Sequence, residues 1–128
     1  MSNKQIMQAV LSELSIGNDK PLIDAMSEDM QWNWMGTGPW AKSFTGKSAV
    51  VHELLAAAKT TIKEPARATV NRILADEDYV IVEATGQNTT TAGKAYNNNY
   101  CWICRFTDGK LTEINEYMDT QFVTEAFS

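Results

Sequence analysis

A single histidine, His52, and only two cysteines stand among the 128 residues of this chain. One histidine excludes a histidine-rich metal site within the chain, and a three-histidine zinc centre would have to borrow ligands from neighbouring subunits. Basic residues are also in short supply: eleven Lys and Arg face sixteen Asp and Glu, for a net charge of −5. That balance argues against a protein that grips phosphate backbones, so neither nucleic acid nor an anionic membrane is an expected partner. No run of about 18 apolar residues occurs, and Met1-Ser2-Asn3-Lys4-Gln5 lacks the basic-then-apolar build of a secretion signal. A cytoplasmic protein is expected. The sequence has no G-x-S-x-G and no glycine-rich phosphate loop after a strand, which leaves serine-nucleophile and nucleotide-cofactor chemistry without support. No cofactor and no metal are expected.

The two cysteines, Cys101 and Cys104, form a C-x-x-C inside Asn99-Tyr100-Cys101-Trp102-Ile103-Cys104-Arg105-Phe106. This segment is rich in aromatic and β-branched residues and reads as a strand, where residues three apart face opposite sides and lie roughly 10 Å apart. The sulfurs then cannot meet without breaking the strand, so both are packing residues, in keeping with a reducing compartment.

Hydrophobic residues make up 44% and charged residues 21%, which at this length describes one globular domain spanning 1–128. Ile6, Met7, Val10, Leu11 and Leu14 recur at helical spacing and predict a helix over 4–15. A short helix follows, with Asp19 as its cap, Pro21 in its first turn and Leu22, Ile23 and Met26 on its buried side. Residues 29–35 change to a period of two with Trp32 and Trp34 on one face, a strand, and the residues up to Gly46 read as an irregular loop carrying Trp40 and Phe44. Val51, Leu54, Leu55, Ala58 and Ile62 mark the longest helix, which Pro65 stops. Four strands are predicted over 67–75, 79–91, 95–107 and 110–120, with Asp108-Gly109 as the strongest hairpin signal. Segregated helices and an antiparallel meander make an α+β domain.

This order, with three local runs, resembles the SnoaL-like branch of the ketosteroid-isomerase and nuclear-transport-factor-2-like (NTF2-like) superfamily. The runs are Asp29-Met30-Gln31-Trp32-Asn33-Trp34-Met35-Gly36-Thr37-Gly38-Pro39, Gly93-Lys94-Ala95-Tyr96-Asn97-Asn98-Asn99-Tyr100, and residues 106–120 with Glu116-Tyr117-Met118-Asp119 near their end. The resemblance implies an NTF2-like cone, a curved antiparallel sheet wrapped around a long helix with two N-terminal helices. It also implies an apolar pocket for a small hydrophobic molecule and a homodimer formed through the sheet. It does not fix an activity, because one fold hosts many.

In the steroid isomerases an aspartate base removes a proton beside a carbonyl while a tyrosine and a protonated aspartic acid bind the enolate oxygen. Their positions match approximately to Asn33, Val10 and Trp102 here, none of which can take the role. Similarity to limonene-epoxide-hydrolase-like enzymes implies instead a catalytic Asp119 at the end of the last strand, although the arginine–aspartate pair of those enzymes is missing around Glu83 and Thr85. Glu83, in the apolar run Val80-Ile81-Val82-Glu83-Ala84, is the second candidate. Two carboxylates in an apolar cone would push one pKa upward and supply an acid and a base. The competing expectation is structural, with Asp119 capping a last short helix over 120–127 and Glu83 on the outer face of the sheet. Tyr117 shares a strand face with Asp119, so the two are expected together in the pocket, with Glu116 pointing away. Trp32, Trp34 and Trp40 would form an aromatic wall, and Asn98, Tyr100 and Trp102 share a face that could meet a ligand oxygen. The expected function is isomerase, cyclase or hydrolase chemistry on a hydrophobic ligand; the alternatives are a non-catalytic binding protein and an association module.

Overall fold

The computed structural model describes residues 1–127. Helix α1 (Asn3–Leu14) begins at a capping box in which the Ser2 hydroxyl accepts from the Gln5 N–H and the Gln5 side chain accepts from the Ser2 N–H. It buries Met7 and Val10 and packs against the third and fourth strands. Helix α2 (Lys20–Ala25) has Pro21 in its first turn. Asp19 stands at its N-cap position but makes no side-chain cap bond, contrary to expectation. Its carboxylate is 3.2 Å from Lys59 Nζ, while Asn18 Oδ1 accepts from the Lys20 N–H.

Strand β1 (Met26–Trp34) follows directly, and β2 (Lys42–Thr45) returns antiparallel to it. This second strand falls in the predicted loop, where a four-residue piece around the buried Phe44 is too short to show a period. The long helix runs as α3 (Lys47–Ala49), a π-helical segment (Val50–Leu55) and α4 (Ala56–Thr61). Strands β3 (Ala68–Asp76), β4 (Tyr79–Gly86), β5 (Asn99–Thr107) and β6 (Lys110–Met118) form the expected meander, and α5 (Thr120–Ala126) closes the described chain. Asp108 and Gly109 both take positive φ, 50° and 77°, in the β5–β6 hairpin.

The six strands lie in the order β2-β1-β6-β5-β4-β3. The sheet is therefore mixed rather than antiparallel throughout, because β1 runs parallel to β6. A parallel pair needs a long crossover, and here that crossover is nearly the whole protein. The β4 and β5 pairing is also shorter than predicted. Between Gly86 and Asn99 the chain leaves the ladder and keeps only isolated bridges, Thr89 to Ala95 and Ile62 to Thr90. Side chains join scattered backbone bonds in holding this stretch: Asn97 Oδ1 accepts from the Asn88 N–H at 2.9 Å, and Asn88 Oδ1 from the Arg67 N–H at 2.8 Å. The cysteines are free and face opposite sides, with burial pushing the Cys104 thiol up to about 12. Among the described residues no helix is long and apolar enough to cross a membrane.

Candidate functional site

Strand alternation on β1, β5 and β6 turns Trp32, Trp34, Tyr100, Trp102, Glu116 and Met118 toward the helices. Facing them, Leu54, Ala57, Ala58 and Thr61 follow one another at i, i+3, i+4, i+7 on the long helix. Trp40, Val123 and Phe127 close one end. The space enclosed is about 480 Å³. It is there because the helix offers alanines where larger side chains would have filled the core. Its size is within the range of small-molecule sites, and its walls are mainly aromatic and aliphatic. Tyr100 and Trp102 stack at 5.2 Å and 17°, one flat wall; Trp34 meets Phe44 edge-on at 4.9 Å. A side chain at Gly86 would come within 3.3 Å of the Tyr100 ring, so the glycine gives that wall its room.

Glu116 is the one acidic side chain among the described lining residues. It is 7% exposed, and Trp32 donates its indole N–H to Glu116 Oε1 at 2.9 Å. Burial raises its pKa above the ordinary carboxylate value, while the nearby indoles of Trp102, Trp32 and Trp34 act in the opposite sense. Trp102 Nε1 is close enough to favour the charged carboxylate, yet it is buried and forms no hydrogen bond. Tyr96 and Tyr100 bring their hydroxyls together, and burial pushes both phenols up, so each stays protonated. Such an arrangement can hold an apolar molecule and exchange a proton with it through Glu116.

The two carboxylates expected to act do not enter this cavity. Asp119 is exposed, and its side chain accepts from the Gln121 and Phe122 N–H groups at 3.1 and 3.2 Å as the N-cap of α5. Glu83 is on the outer face, 3.6 Å from Arg72 and 52% exposed. Tyr117 is likewise exposed on that side. Asn98 is fully buried but bonds to the backbone: it accepts from the Asp119 N–H at 3.0 Å and donates to the Asp119 carbonyl at 3.1 Å. Trp32, Trp34, Trp40, Tyr100 and Trp102 all line the cavity.

Glu116 was expected to point away. The signal that assigns it is the apolar parity Ile114, Glu116, Met118, offset from Leu111 by a bulge at Thr112. Residues Glu113 and Leu111 pair with the consecutive Arg105 and Phe106, so Thr112 is the extra residue that reverses the alternation.

Residues 8–114 match the family model described as a SnoaL-like domain. The chain belongs to the SnoaL-like domain family. No curated protein matches the sequence. Among solved structures, this SnoaL-like chain is similar to an NTF2-like protein of unknown function from Burkholderia pseudomallei, at TM-score 0.87 and 18% identity over 100% of this chain and 99% of the other. It is similar to a candidate SnoaL-like polyketide cyclase from Jannaschia, at TM-score 0.80 and 12% identity over 97% and 90%. An epoxide hydrolase of the LEH-like type from M. tuberculosis matches at TM-score 0.76 and 18% identity over 97% and 87%. Identities this low establish the shared fold.

Proposed function

We propose that this SnoaL-like protein relocates a proton on a small, apolar, ring-bearing molecule held in the cavity, with Glu116 as the group that removes and returns it. The observation that carries this reading is a buried carboxylate of raised pKa in an apolar, aromatic-walled cavity. As a carboxylate, Glu116 takes a proton from carbon, forming its own O–H bond as the C–H bond breaks. The electron pair passes into a conjugated acceptor on the ligand, and the same carboxyl returns the proton at another carbon. One carboxyl is enough for such an isomerisation or for a ring closure. The names of the cyclase-like and hydrolase-like structural neighbours are compatible with acid–base work on this fold.

The test is deuterium exchange at the carbon beside the carbonyl of a bicyclic ketone, β-tetralone, followed by NMR in heavy water. The protein accelerates exchange above buffer, and Glu116→Gln returns it to near background. Full exchange by Glu116→Gln would falsify the base role. A second reading is a binding protein that uses Glu116 as a neutral hydrogen-bonding group, favoured by the burial that raises its pKa. Ligand binding with no exchange by the unaltered protein selects it. Exposed Leu74, Tyr79 and Tyr117 on the outer face support the homodimer, for which sedimentation at the dimer mass is the check.

A further inference from the structure

We propose that the cavity takes an elongated molecule whose apolar ring sits inside beside Glu116 and whose carboxylate tail is held at the mouth by Arg67. This rests on the reading of the cavity as the place of an apolar ring.

Lining residues that are also exposed mark where the cavity opens. They are Ser15, Ala57, Thr61, Ala66, Arg67 and Val70, from the end of α1, from α4 and from around the start of β3. Arg67 is the one cationic group among the described lining residues, as Glu116 is the one acidic group. Both hydroxyls of this mouth are already occupied: Ser15 Oγ donates to the Ser12 carbonyl at 2.6 Å and Thr61 Oγ1 to the Ala57 carbonyl at 2.9 Å. Arg67 is different. Its backbone is fixed on both sides, the N–H donating to Asn88 Oδ1 at 2.8 Å and the carbonyl accepting from the Gln87 N–H at 2.9 Å. Its guanidinium has no partner among the described residues. The Asn88 side chain lines the cavity too, with its NH2 group unused.

A guanidinium presents a flat fork of N–H donors that matches the two oxygens of a carboxylate. One cation suits a single negative charge, whereas a phosphate dianion would be left undercompensated in a cavity that also holds Glu116. The charges set the direction as well: a carboxylate is repelled by ionised Glu116 and drawn to Arg67, so the apolar ring goes in first. Arg67 stands just before β3, three strands from β6, about 14 Å across the sheet at the usual strand spacing. A chain or a second ring must therefore separate the acid from the reacting ring. General attraction cannot cause such a preference, because the protein as a whole carries a charge of −5.

The experiment compares a hexanoate carrying a terminal naphthalene ring with the matching primary amide, by isothermal titration calorimetry at mildly alkaline pH. The acid binds about fivefold tighter than the amide, and added salt narrows the gap. In Arg67→Gln, an exposed substitution, the gap closes while amide affinity is kept. Ala58→Leu weakens both ligands, since both occupy the cavity. Equal affinity for acid and amide in the unaltered protein overturns the proposal, as does a preference that survives Arg67→Gln. Acid binding untouched by Ala58→Leu overturns it too, as ion pairing on the surface. Binding of neither ligand overturns it together with the reading of the cavity. Exchange of β-tetralone that depends on Glu116, without a preference for the acid, rejects this inference alone. A preference that depends on Arg67, with exchange unaffected by Glu116→Gln, rejects the base role and leaves Arg67 as the carboxylate holder.

Discussion

The indole of Trp32 on β1 and the carboxylate of Glu116 on β6 meet at 2.9 Å, although the residues are 84 positions apart. The bond gives a buried acid its one well-formed donor. Trp32→Phe keeps the ring packing and removes that donor. We expect it to raise the Glu116 pKa further and to cost about 1.5–3 kcal/mol when the carboxyl is charged. Urea unfolding should show this loss growing as pH rises.

Glu116→Gln should have the opposite pH signature. Because burial raises the folded-state pKa, the unfolded chain releases its proton at lower pH than the folded protein does. No penalty exists below the ordinary carboxylate range. Above it, the stability of the unaltered protein falls by about 1.4 kcal/mol per pH unit until the folded-state pKa is reached, then levels. Gln lacks this titration, so the difference in unfolding free energy, variant minus parent, increases with pH across that window. A difference independent of pH would sink the assignment of Glu116 as a buried titrating group.

Asp119→Ala removes a helix cap and nothing in the cavity. A loss of about 0.5–2 kcal/mol in thermal or urea unfolding is expected, with deuterium exchange on the bound ketone retained. Glu83→Gln, exposed on the far face, should change stability by no more than about 0.5 kcal/mol and leave exchange intact. Loss of exchange in either variant would return catalysis to the carboxylates first suspected.

Asn98→Leu leaves the Asp119 N–H and carbonyl without their side-chain partner. A cost of about 2 kcal/mol or more follows from two unmet backbone groups. Amide hydrogen exchange should quicken first in α5, whose start these bonds hold.

Ala58→Leu adds three carbons to the helix wall of an open cavity. Stability should move by less than about 1.5 kcal/mol, since space exists to accept the side chain. Affinity for β-tetralone, measured by tryptophan fluorescence, should fall at least several-fold.

The architecture was legible where a pattern persists for several residues. The heptad-like spacing from Ile6 to Leu14, the paired tryptophans of β1 and the Asp108-Gly109 turn each have a local cause, and each is where the sequence reading put it. The aromatic walls were legible for the same reason, since alternation sets Trp32 with Trp34 and Tyr100 with Trp102. What was not legible depends on distant partners. A mere four residues around Phe44 make a strand because β1 is there to pair with them. Glu116 faces inward because Thr112 bulges against a neighbouring strand, and Asp119 is diverted to capping because α5 starts at once. The asparagine run at 97–99, unfavourable in a strand, carries bonds that the interrupted β4–β5 ladder cannot make.

The parallel pairing of β1 with β6 has a consequence for how the protein is made. Strand β1 ends at Trp34, but its neighbour is not complete until Met118 has been synthesised. The β3–β4–β5 hairpins can form early from nearby residues, whereas the two β1 tryptophans, paired early with β2 alone, must wait for the last strand on their other side. Glu116 arrives in that same strand. The nascent chain thus acquires its buried acid and the closing of its sheet in a single late event, and a ribosome-bound chain that stops short of β6 carries the aromatic wall of β5 without the acid it faces.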